Sequence, residues 1–387
     1  MPAALYIHWP FCLKKCPYCD FNSHVRDGVD IDLWQRSLIA DMRHEAEVAG
    51  EGPLESVFFG GGTPSLMPPA LVVALLAEAE RLWGFAPDIE ITLEGNPSSV
   101  EAANYAALAT AGVNRASLGL QSLDDEALQF LGRLHGVDEG LRAVEVAQNS
   151  FSRVSFDLIY ALPGQSVEAW EAQLLRALGI GTGHLSLYQL TIEPGTRFAT
   201  MVREGQFEPL DEDTAADMFA LTRRITALHG LPAYEVSNHA KPGERSRHNL
   251  AYWQYRDTLG IGPGAHGRRK GEATVRHRKP ENWLDGMARN GHGIVESRQL
   301  GQREQASEAM LMGLRLTEGL DLVALSARFG MSAADLIEPG RVEFYQRQGL
   351  IWSRGNRIGV TDAGFVLLDG LLGALVSDGL FDADEPA

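Results

Sequence analysis

The chain has 387 residues, of which 45% are hydrophobic and 22% are charged. We therefore expect one large folded unit with one or two smaller ones, and this composition argues against extensive disorder. The 34 Lys and Arg against 51 Asp and Glu give a formal charge of −17, which disfavours binding to nucleic acid or anionic lipid unless a local basic patch exists.

The N-terminus and the cysteine count indicate a cytoplasmic protein. Residues 1–11 lack the basic and apolar regions of a signal peptide. No run of 18 apolar residues occurs, so we expect no membrane span. The three cysteines all fall between positions 12 and 19, and an odd number packed so closely cannot form a disulfide framework.

Strands and helices alternate over the first part of the chain, to about residue 200. The predicted strands are short apolar or alternating runs: Leu5–His8, Ser56–Phe59, Glu90–Leu93, Arg115–Leu118, Val154–Leu158 and Leu185–Leu190. The amphipathic stretches between them include Leu33–Ala49, Ala70–Trp83, Asn104–Ala111 and Ser166–Leu178. This alternation predicts an α/β fold with parallel strands, either a barrel or a doubly wound sheet. Because polar residues follow several strand ends, and a barrel would gather them around one mouth, we favour the barrel.

The second part of the chain has a different pattern. Strand-like pieces occur at Tyr234–Val236 and Thr258–Ile261, and the later helical segment contains a hairpin-like piece at Leu350–Thr361. Helices followed by a two-stranded wing resemble a winged-helix module, but its many acids favour a structural or protein-contact role over DNA binding. The predicted domains are a barrel at 1–267, a connector at 268–303, a mainly helical winged-helix-like domain at 304–377 and an acidic tail at 378–387.

The cysteines are spaced Cys12-x3-Cys16-x2-Cys19, which predicts a [4Fe–4S] cluster. Three thiolates on one loop can bind three irons of a cubane and leave the fourth iron open to an exogenous chelator. A zinc site with His8 or His24 as the fourth ligand is the alternative. Zinc sites normally pair C-x-x-C knuckles from two separate places, and no second knuckle exists here.

This cysteine spacing, with Tyr18 beside the third cysteine, resembles the signature of the radical S-adenosylmethionine superfamily over about residues 5–267. The resemblance implies a partial (β/α)6 barrel in which the open iron chelates the methionine moiety of S-adenosylmethionine. It implies cleavage of the sulfonium to a 5′-deoxyadenosyl radical after one electron arrives. A flavodoxin- or ferredoxin-like electron donor is implied as well.

The glycine-rich segment Phe58–Ser65 follows a predicted strand. It is not a P-loop, because no Gly-Lys-Ser/Thr follows. Glycines there permit close backbone approach to a ligand, although a tight turn before Pro64 explains them as well. The resemblance assigns contact with the methionine amino group to Gly61, Gly62 and Thr63.

Further positions match one branch of the superfamily, the oxygen-independent coproporphyrinogen dehydrogenase-like proteins. The carboxylates of Glu94 and Asp157 can accept hydrogen bonds from ribose hydroxyls or the ammonium, and Arg133 can pair with the methionine carboxylate. Gln121 offers both a donor and an acceptor. Each of these residues taken singly is more typical of a surface or a helix cap. Taken together, at strand ends and in the order of the family, they favour a binding site. The other residues that we expect near this pocket are Tyr6, Tyr18, Phe21 and His266.

The branch contains coproporphyrinogen III dehydrogenases and heme chaperones of the HemW type. The dehydrogenases have the cysteine pattern C-x3-C-x2-C-x-C, and here Phe21 stands in place of the last cysteine. They also carry an N-terminal extension before the cysteine loop, whereas here only eleven residues precede Cys12. The segment Arg247–Trp253, RHNLAYW, resembles the HNxxYW motif of the chaperones. We therefore predict a heme chaperone that passes heme to an acceptor hemoprotein. The dehydrogenase, or a radical enzyme on another substrate, is the alternative.

The motif residues have the chemistry that heme binding requires. His248 can ligate heme iron through a neutral imidazole, and Tyr252 and Trp253 can pack against the macrocycle. Asn249 could orient the histidine, since metal-bound imidazoles usually have such a partner. A structural histidine in a loop is the alternative for His248.

Overall fold

The computed structural model describes residues 2–26, 28–377 and 380. The strands are β1 (Ala4–Trp9), β2 (Phe11–Cys12), β3 (His24–Val25), β4 (Leu54–Gly61), β5 (Phe85–Gly95), β6 (Arg115–Gln121), β7 (Arg153–Tyr160), β8 (His184–Gln189), β9 (Asn238–Ala240), β10 (Thr258–Ile261), β11 (His266–Arg269), β12 (Glu272–Arg276), β13 (Ile294–Gln299), β14 (Leu320–Asp321), β15 (Ile351–Arg354) and β16 (Arg357–Val360). The first nine α-helices are α1 (Ile31–Ala49), α2 (Pro69–Trp83), α3 (Ser99–Ala102), α4 (Tyr105–Thr110), α5 (Asp125–Phe130), α6 (Val137–Ser150), α7 (Val167–Leu178), α8 (Arg197–Arg203) and α9 (Glu212–Leu228). The remaining helices are α10 (Arg247–Trp253), α11 (Pro280–Asn290), α12 (Gln302–Gly313), α13 (Leu322–Phe329), α14 (Ala333–Leu336), α15 (Pro339–Arg347), α16 (Asp362–Phe365) and α17 (Leu368–Leu375).

One large open sheet contains the barrel strands. Its order is β13-β12-β11-β10-β1-β4-β5-β6-β7-β8-β9. Strands β1, β4, β5, β6, β7 and β8 are parallel neighbours in chain order. A doubly wound sheet would place its strands on alternate sides of the first one, and these six strands instead add to one side. The predicted α/β fold with a partial (β/α)6 barrel is therefore confirmed.

Alternation along β1 shows how the barrel divides its two faces. Leu5 and Ile7 are fully buried in the main apolar core, together with Leu38 of α1. Tyr6 and His8 point to the other face and line a cavity. Period-two alternation in a strand produces this separation of apolar and polar side chains.

The end of the barrel that lies opposite the carboxyl ends of the strands is closed by a buried carboxylate. Glu90 accepts a hydrogen bond from Arg153 at 2.8 Å and from the backbone N–H groups of Arg247 and His248 at 3.0 and 3.2 Å. A carboxylate at a helix N-terminus satisfies unpaired N–H groups and complements the helix dipole. Glu90 therefore holds α10, the helix of the RHNLAYW motif, against the barrel.

The segment 268–303, predicted as a connector, has regular structure. β11 crosses the predicted boundary, β12 and β13 extend the sheet in antiparallel fashion, and α11 lies between them. One of its basic residues is used internally, since fully buried Arg276 contacts Asp41 and Glu45 of α1 at 2.7 and 2.9 Å. These partners are more than 200 positions away, so local charge patterning gave no sign of them. The division of the chain into domains stays a proposal.

The C-terminal region is mainly helical, and it contains the predicted hairpin. β15 and β16 pair in antiparallel register, and β14 completes a three-stranded sheet. Arg223 of α9 binds Asp362 at 2.8 Å and lies 4.1 Å from the Phe365 ring, so this region packs on the barrel. The predicted acidic tail lies outside the described residues, except for Leu380. None of the helices in the described part of the chain is long and apolar enough to cross a membrane.

Candidate functional site

A cavity at the carboxyl ends of the barrel strands brings together most of the predicted site residues. Twelve of them line it: Cys12, Cys16, Tyr18, Cys19, Phe21, Gly61, Gly62, Thr63, Glu94, Gln121, Arg133 and Asp157. We call this space the cysteine cavity. Tyr6 and His266 line a neighbouring cavity instead, and His248 lines neither of the two.

Cys12 ends β2, Cys16 and Cys19 lie on the loop between β2 and β3, and all three thiols are partly exposed. Thr63 Oγ1 donates a hydrogen bond to Cys12 Sγ at 3.4 Å, and Arg133 Nη1 lies 3.3 Å from Cys16 Sγ. Burial raises the pKa of the Cys12 and Cys19 thiols, so metal binding there has to displace protons. Within the described residues no three His, Cys, Asp or Glu side chains are placed to hold a single metal ion. A cubane needs no such convergence, because each thiolate binds its own iron.

Asn22 connects the cysteine loop to the segments that follow β10 and β12. Its Nδ2 donates hydrogen bonds to the carbonyl oxygens of Pro263 and Arg278, both at 2.9 Å, and its own carbonyl accepts one from His8 Nε2 at 2.8 Å. No local pattern in the sequence points to Asn22, since those two partners are 241 and 256 positions away. Asn22 is therefore a site residue that only the fold reveals.

Asn96 is a second residue that the prediction missed. Its Nδ2 donates to Thr63 Oγ1 at 3.2 Å, and its Oδ1 accepts from Arg133. Here a signal was available, because Asn96 follows Glu94 by two residues in the same segment. Residues two apart at the end of a strand face the same side, so both reach the cysteine cavity.

Glycine is required at positions 61 and 62 because the segment around His8 and Phe11 lies close to both. Gly61 has φ +115°, and a Cβ there would lie 2.4 Å from the His8 ring. A Cβ on Gly62 would lie 2.6 Å from the backbone oxygen of Phe11. The glycines therefore allow the backbone at 61–62 to pack closely against β1 and β2, whether or not they also contact a ligand. The Gly61 N–H meanwhile donates to Glu94 Oε2 at 3.1 Å.

Gln121 has an unusual backbone conformation at the end of β6. Its φ is +69°, and the pairing of β6 with β7 shifts register between Leu118 and Gln121. A non-glycine residue in this region costs about 1–3 kcal/mol, and such residues concentrate at functional sites. The bulge re-aims the Gln121 side chain into the cysteine cavity.

Three buried polar atoms of residues lining this cavity have no hydrogen-bond partner among the described residues. They are Gln121 Oε1, Arg133 Nε and Asp157 Oδ1. Buried polar atoms in native proteins are nearly always paired, so their presence here indicates a polar ligand. The amino, carboxylate and hydroxyl groups of S-adenosylmethionine offer the donors and acceptors that these atoms lack.

Two carboxyl groups in the cavity have raised pKa values. Burial, reinforced by the charge of Asp157, raises the pKa of Glu94 to about 8. Burial also raises the pKa of Asp157 to about 6, against the opposing effect of hydrogen bonds from Ser186 and the charge of Arg133. A bound cation favours the ionised form of both groups.

His248 is enclosed between α10 and the barrel strands and is 3% exposed. Its Nδ1 bonds Ser56 Oγ at 3.1 Å and its ring stacks on Phe58 at 4.8 Å. Burial lowers its pKa to about 3, and Nε2 has no partner among the described residues. Asn249, predicted to orient it, bonds Tyr234 instead, because adjacent residues on a helix point in different directions.

Tyr252 and Trp253, the other aromatic residues of the motif, also face different parts of the molecule. Tyr252 lines the neighbouring cavity, which we call the histidine cavity, together with Tyr6 and His266. Trp253 lies beside Arg315, whose guanidinium is 5.9 Å from its ring. The histidine cavity and the cysteine cavity share Phe21, Gly61 and Glu94, so they are contiguous.

Comparison with known proteins identifies the class that this barrel and cysteine loop define. A family model described as "Radical SAM superfamily" matches residues 6–175, and one described as "HemN C-terminal domain" matches residues 300–367. The fold is similar to that of the solved coproporphyrinogen III oxidase (HemN) from Escherichia coli, with a TM-score of 0.81 at 21% identity, over 96% of this chain and 89% of that one. The class is that of radical S-adenosylmethionine proteins.

Curated relatives narrow the assignment. Heme chaperone HemW of Escherichia coli K12 is 36% identical over 96% of this chain and 97% of its own length. Heme chaperone HemW of Bacillus subtilis is 31% identical over 96% and 99%. Radical S-adenosyl methionine domain-containing protein 1, mitochondrial, of Mus musculus is 43% identical over 82% and 74%. The chain belongs to the HemW-type family of the radical S-adenosylmethionine superfamily.

Proposed function

We propose that this protein is a heme chaperone, which binds heme together with a [4Fe–4S] cluster and S-adenosylmethionine and transfers heme to an acceptor hemoprotein. The observation that carries the proposal is the similarity, over nearly the whole chain, to proteins named heme chaperones. The RHNLAYW motif supports it, because α10 brings Tyr252 of that motif to a cavity beside the cysteines.

The residues of the cysteine cavity fit the two cofactors that the family implies. Cys12, Cys16 and Cys19 would each bind one iron of the cluster, which supplies a single electron to the sulfonium of S-adenosylmethionine. Arg133 can turn its guanidinium from Cys16 to a carboxylate as a planar fork. Glu94 can accept hydrogen bonds from cationic or hydroxyl groups.

Phe21 separates this proposal from the porphyrinogen-oxidising alternative. It is 60% exposed beside both cavities, at the position where the resemblance places a fourth cysteine in the dehydrogenases. An exposed aromatic ring at a cavity edge suits a flat apolar ligand such as heme. The acceptor, the electron donor and a cytoplasmic location are part of the proposal.

The test is anaerobic reconstitution of the cluster, followed by heme titration and a coproporphyrinogen assay in parallel. We expect a saturable Soret band and no consumption of coproporphyrinogen III. An active dehydrogenase serves as the positive control for the second assay. Absence of a Soret change, or turnover of coproporphyrinogen to protoporphyrinogen with release of 5′-deoxyadenosine, would remove the chaperone proposal.

A further inference from the structure

We propose that heme occupies the histidine cavity and that His266 ligates its iron. This inference rests on the proposed heme function and assigns the site. The cavity lies between the cysteine loop and the turn that joins β10 to β11, and it has a volume of about 450 Å³. That volume is within the range of cofactor sites, about 300–1,000 Å³.

His266 is the histidine of this cavity whose ring is free. It begins β11, its side chain is exposed, and it makes no hydrogen bond to the described residues. A neutral imidazole nitrogen facing a cavity is the usual proximal ligand of heme iron. His8 lines the same cavity, but both its nitrogens are engaged, with Tyr6 at 3.0 Å and with the Asn22 carbonyl at 2.8 Å.

The remaining walls suit a macrocycle that carries propionates. Tyr6 and Tyr252 present aromatic side chains to the cavity, and Phe21 stands exposed at its edge. Arg278 is exposed in the lining and can pair with a propionate as a fork. Aromatic side chains therefore line the cavity around the imidazole of His266, and Arg278 and the carboxyl group of Glu94 belong to the same lining.

Because His248 is enclosed, the RHNLAYW motif has a different role in this site from iron ligation. His248 lines neither cavity, and Glu90 holds the first N–H groups of α10 against the barrel. The His248 ring instead packs edge-on against Tyr252, with centroids 5.3 Å apart. His248 is thus a positioning residue, which supports Tyr252 as a wall of the histidine cavity.

The experiment titrates ferric heme into the cluster-reconstituted full chain and into three variants: His266→Ala, His248→Ala and His229→Ala. His229 is an exposed histidine at the end of α9 and serves as the matched control. We expect His266→Ala to lose the imidazole-ligated optical and electron paramagnetic resonance spectra, and to bind heme at least about tenfold more weakly, since even outer partners of metal ligands contribute that much. Added imidazole should restore the spectra. His248→Ala should keep them with lowered affinity, and His229→Ala should match the wild type.

Retention of the wild-type spectra by His266→Ala, or failure of imidazole to restore them, would overturn the assignment. Loss of the spectra in His248→Ala with retention in His266→Ala would identify His248 as the ligand, and the chaperone function would stand. If wild-type protein binds no heme, the proposed function itself fails.

Discussion

Single side chains of the cysteine loop decide whether the cluster can form. Replacing Cys16 by alanine leaves two thiolates on the loop, and two protein ligands do not hold a cubane whose fourth iron is open. We expect Cys16→Ala to lose the brown colour and the reducible cubane signal in electron paramagnetic resonance. Lys14→Ala, at an exposed position on the same loop, should keep both. A cubane signal in Cys16→Ala would contradict the assignment of three thiolates.

The raised pKa of Glu94 predicts how S-adenosylmethionine binding depends on pH. Below its pKa of about 8 the buried carboxyl is protonated, and a cationic ligand favours the ionised form, so binding releases a proton. Affinity should therefore increase between pH 6 and 8, by up to about tenfold per pH unit. Isothermal titration at several pH values measures this slope, and Glu94→Gln should have a smaller one, since the ligand's own titration is common to both proteins. Equal slopes would show that Glu94 does not change its protonation state when the ligand binds.

At the scale of elements, the anchoring of the cysteine loop depends on Asn22. Asn22→Ala removes hydrogen bonds to two backbone carbonyls, and at about 1 kcal/mol each the free energy of unfolding should decrease by about 2 kcal/mol. The reconstituted cluster should also be lost faster in air, because the loop is no longer tied to the β10–β11 turn. Chemical denaturation and the decay of the cluster absorbance measure the two effects. Asn290→Ala, at an exposed position in α11, should change neither; unchanged cluster decay in Asn22→Ala would show that other contacts fix the loop.

The helices and strands that could be predicted from the sequence are those in which buried and exposed residues alternate with a regular period along the chain. The predicted strand Arg115–Leu118 corresponds to β6, and the predicted helix Leu33–Ala49 corresponds to α1. Strands β11 to β13 were missed because their arginines looked solvated, and Arg276 becomes buried only through acids supplied by α1. The periodicity of hydrophobic residues along the chain carries no information about such distant ion pairs.

The site residues that could be predicted from the sequence are those that belong to recognisable motifs. The residues of the cysteine cavity came from family resemblance, and the barrel brings them together. The neighbours Tyr252 and Trp253 were expected in one pocket, but they face different regions, because a helix turns by about 100° per residue. Where one helix points two adjacent side chains depends on its packing against the barrel, which the motif alone does not specify.

At the scale of the whole molecule, a formal charge of −17 makes an exposed basic loop unusual. Lys14 and Lys15 stand exposed between the first two cysteines, beside Leu13, which is 59% exposed. Neither lysine makes an ion pair with the described residues. Because opposite charge steers encounter and an acidic background repels, we predict that an acidic flavodoxin- or ferredoxin-like donor docks on this loop.

The prediction concerns the rate of electron transfer rather than the cluster itself. The double variant Lys14→Glu/Lys15→Glu should be reduced by a flavodoxin about tenfold or more slowly at low salt, because steering changes association rates by about 10–10³. The difference should shrink as salt screens the exposed charges. Reduction by dithionite, a small reagent that needs no docking surface, should be unchanged. Lys241→Glu, exposed near the opposite end of the barrel beside the start of β8, makes half of this change in total charge and serves as the control. A slowing in that variant in proportion to its charge would mean that net charge, and not this loop, governs encounter.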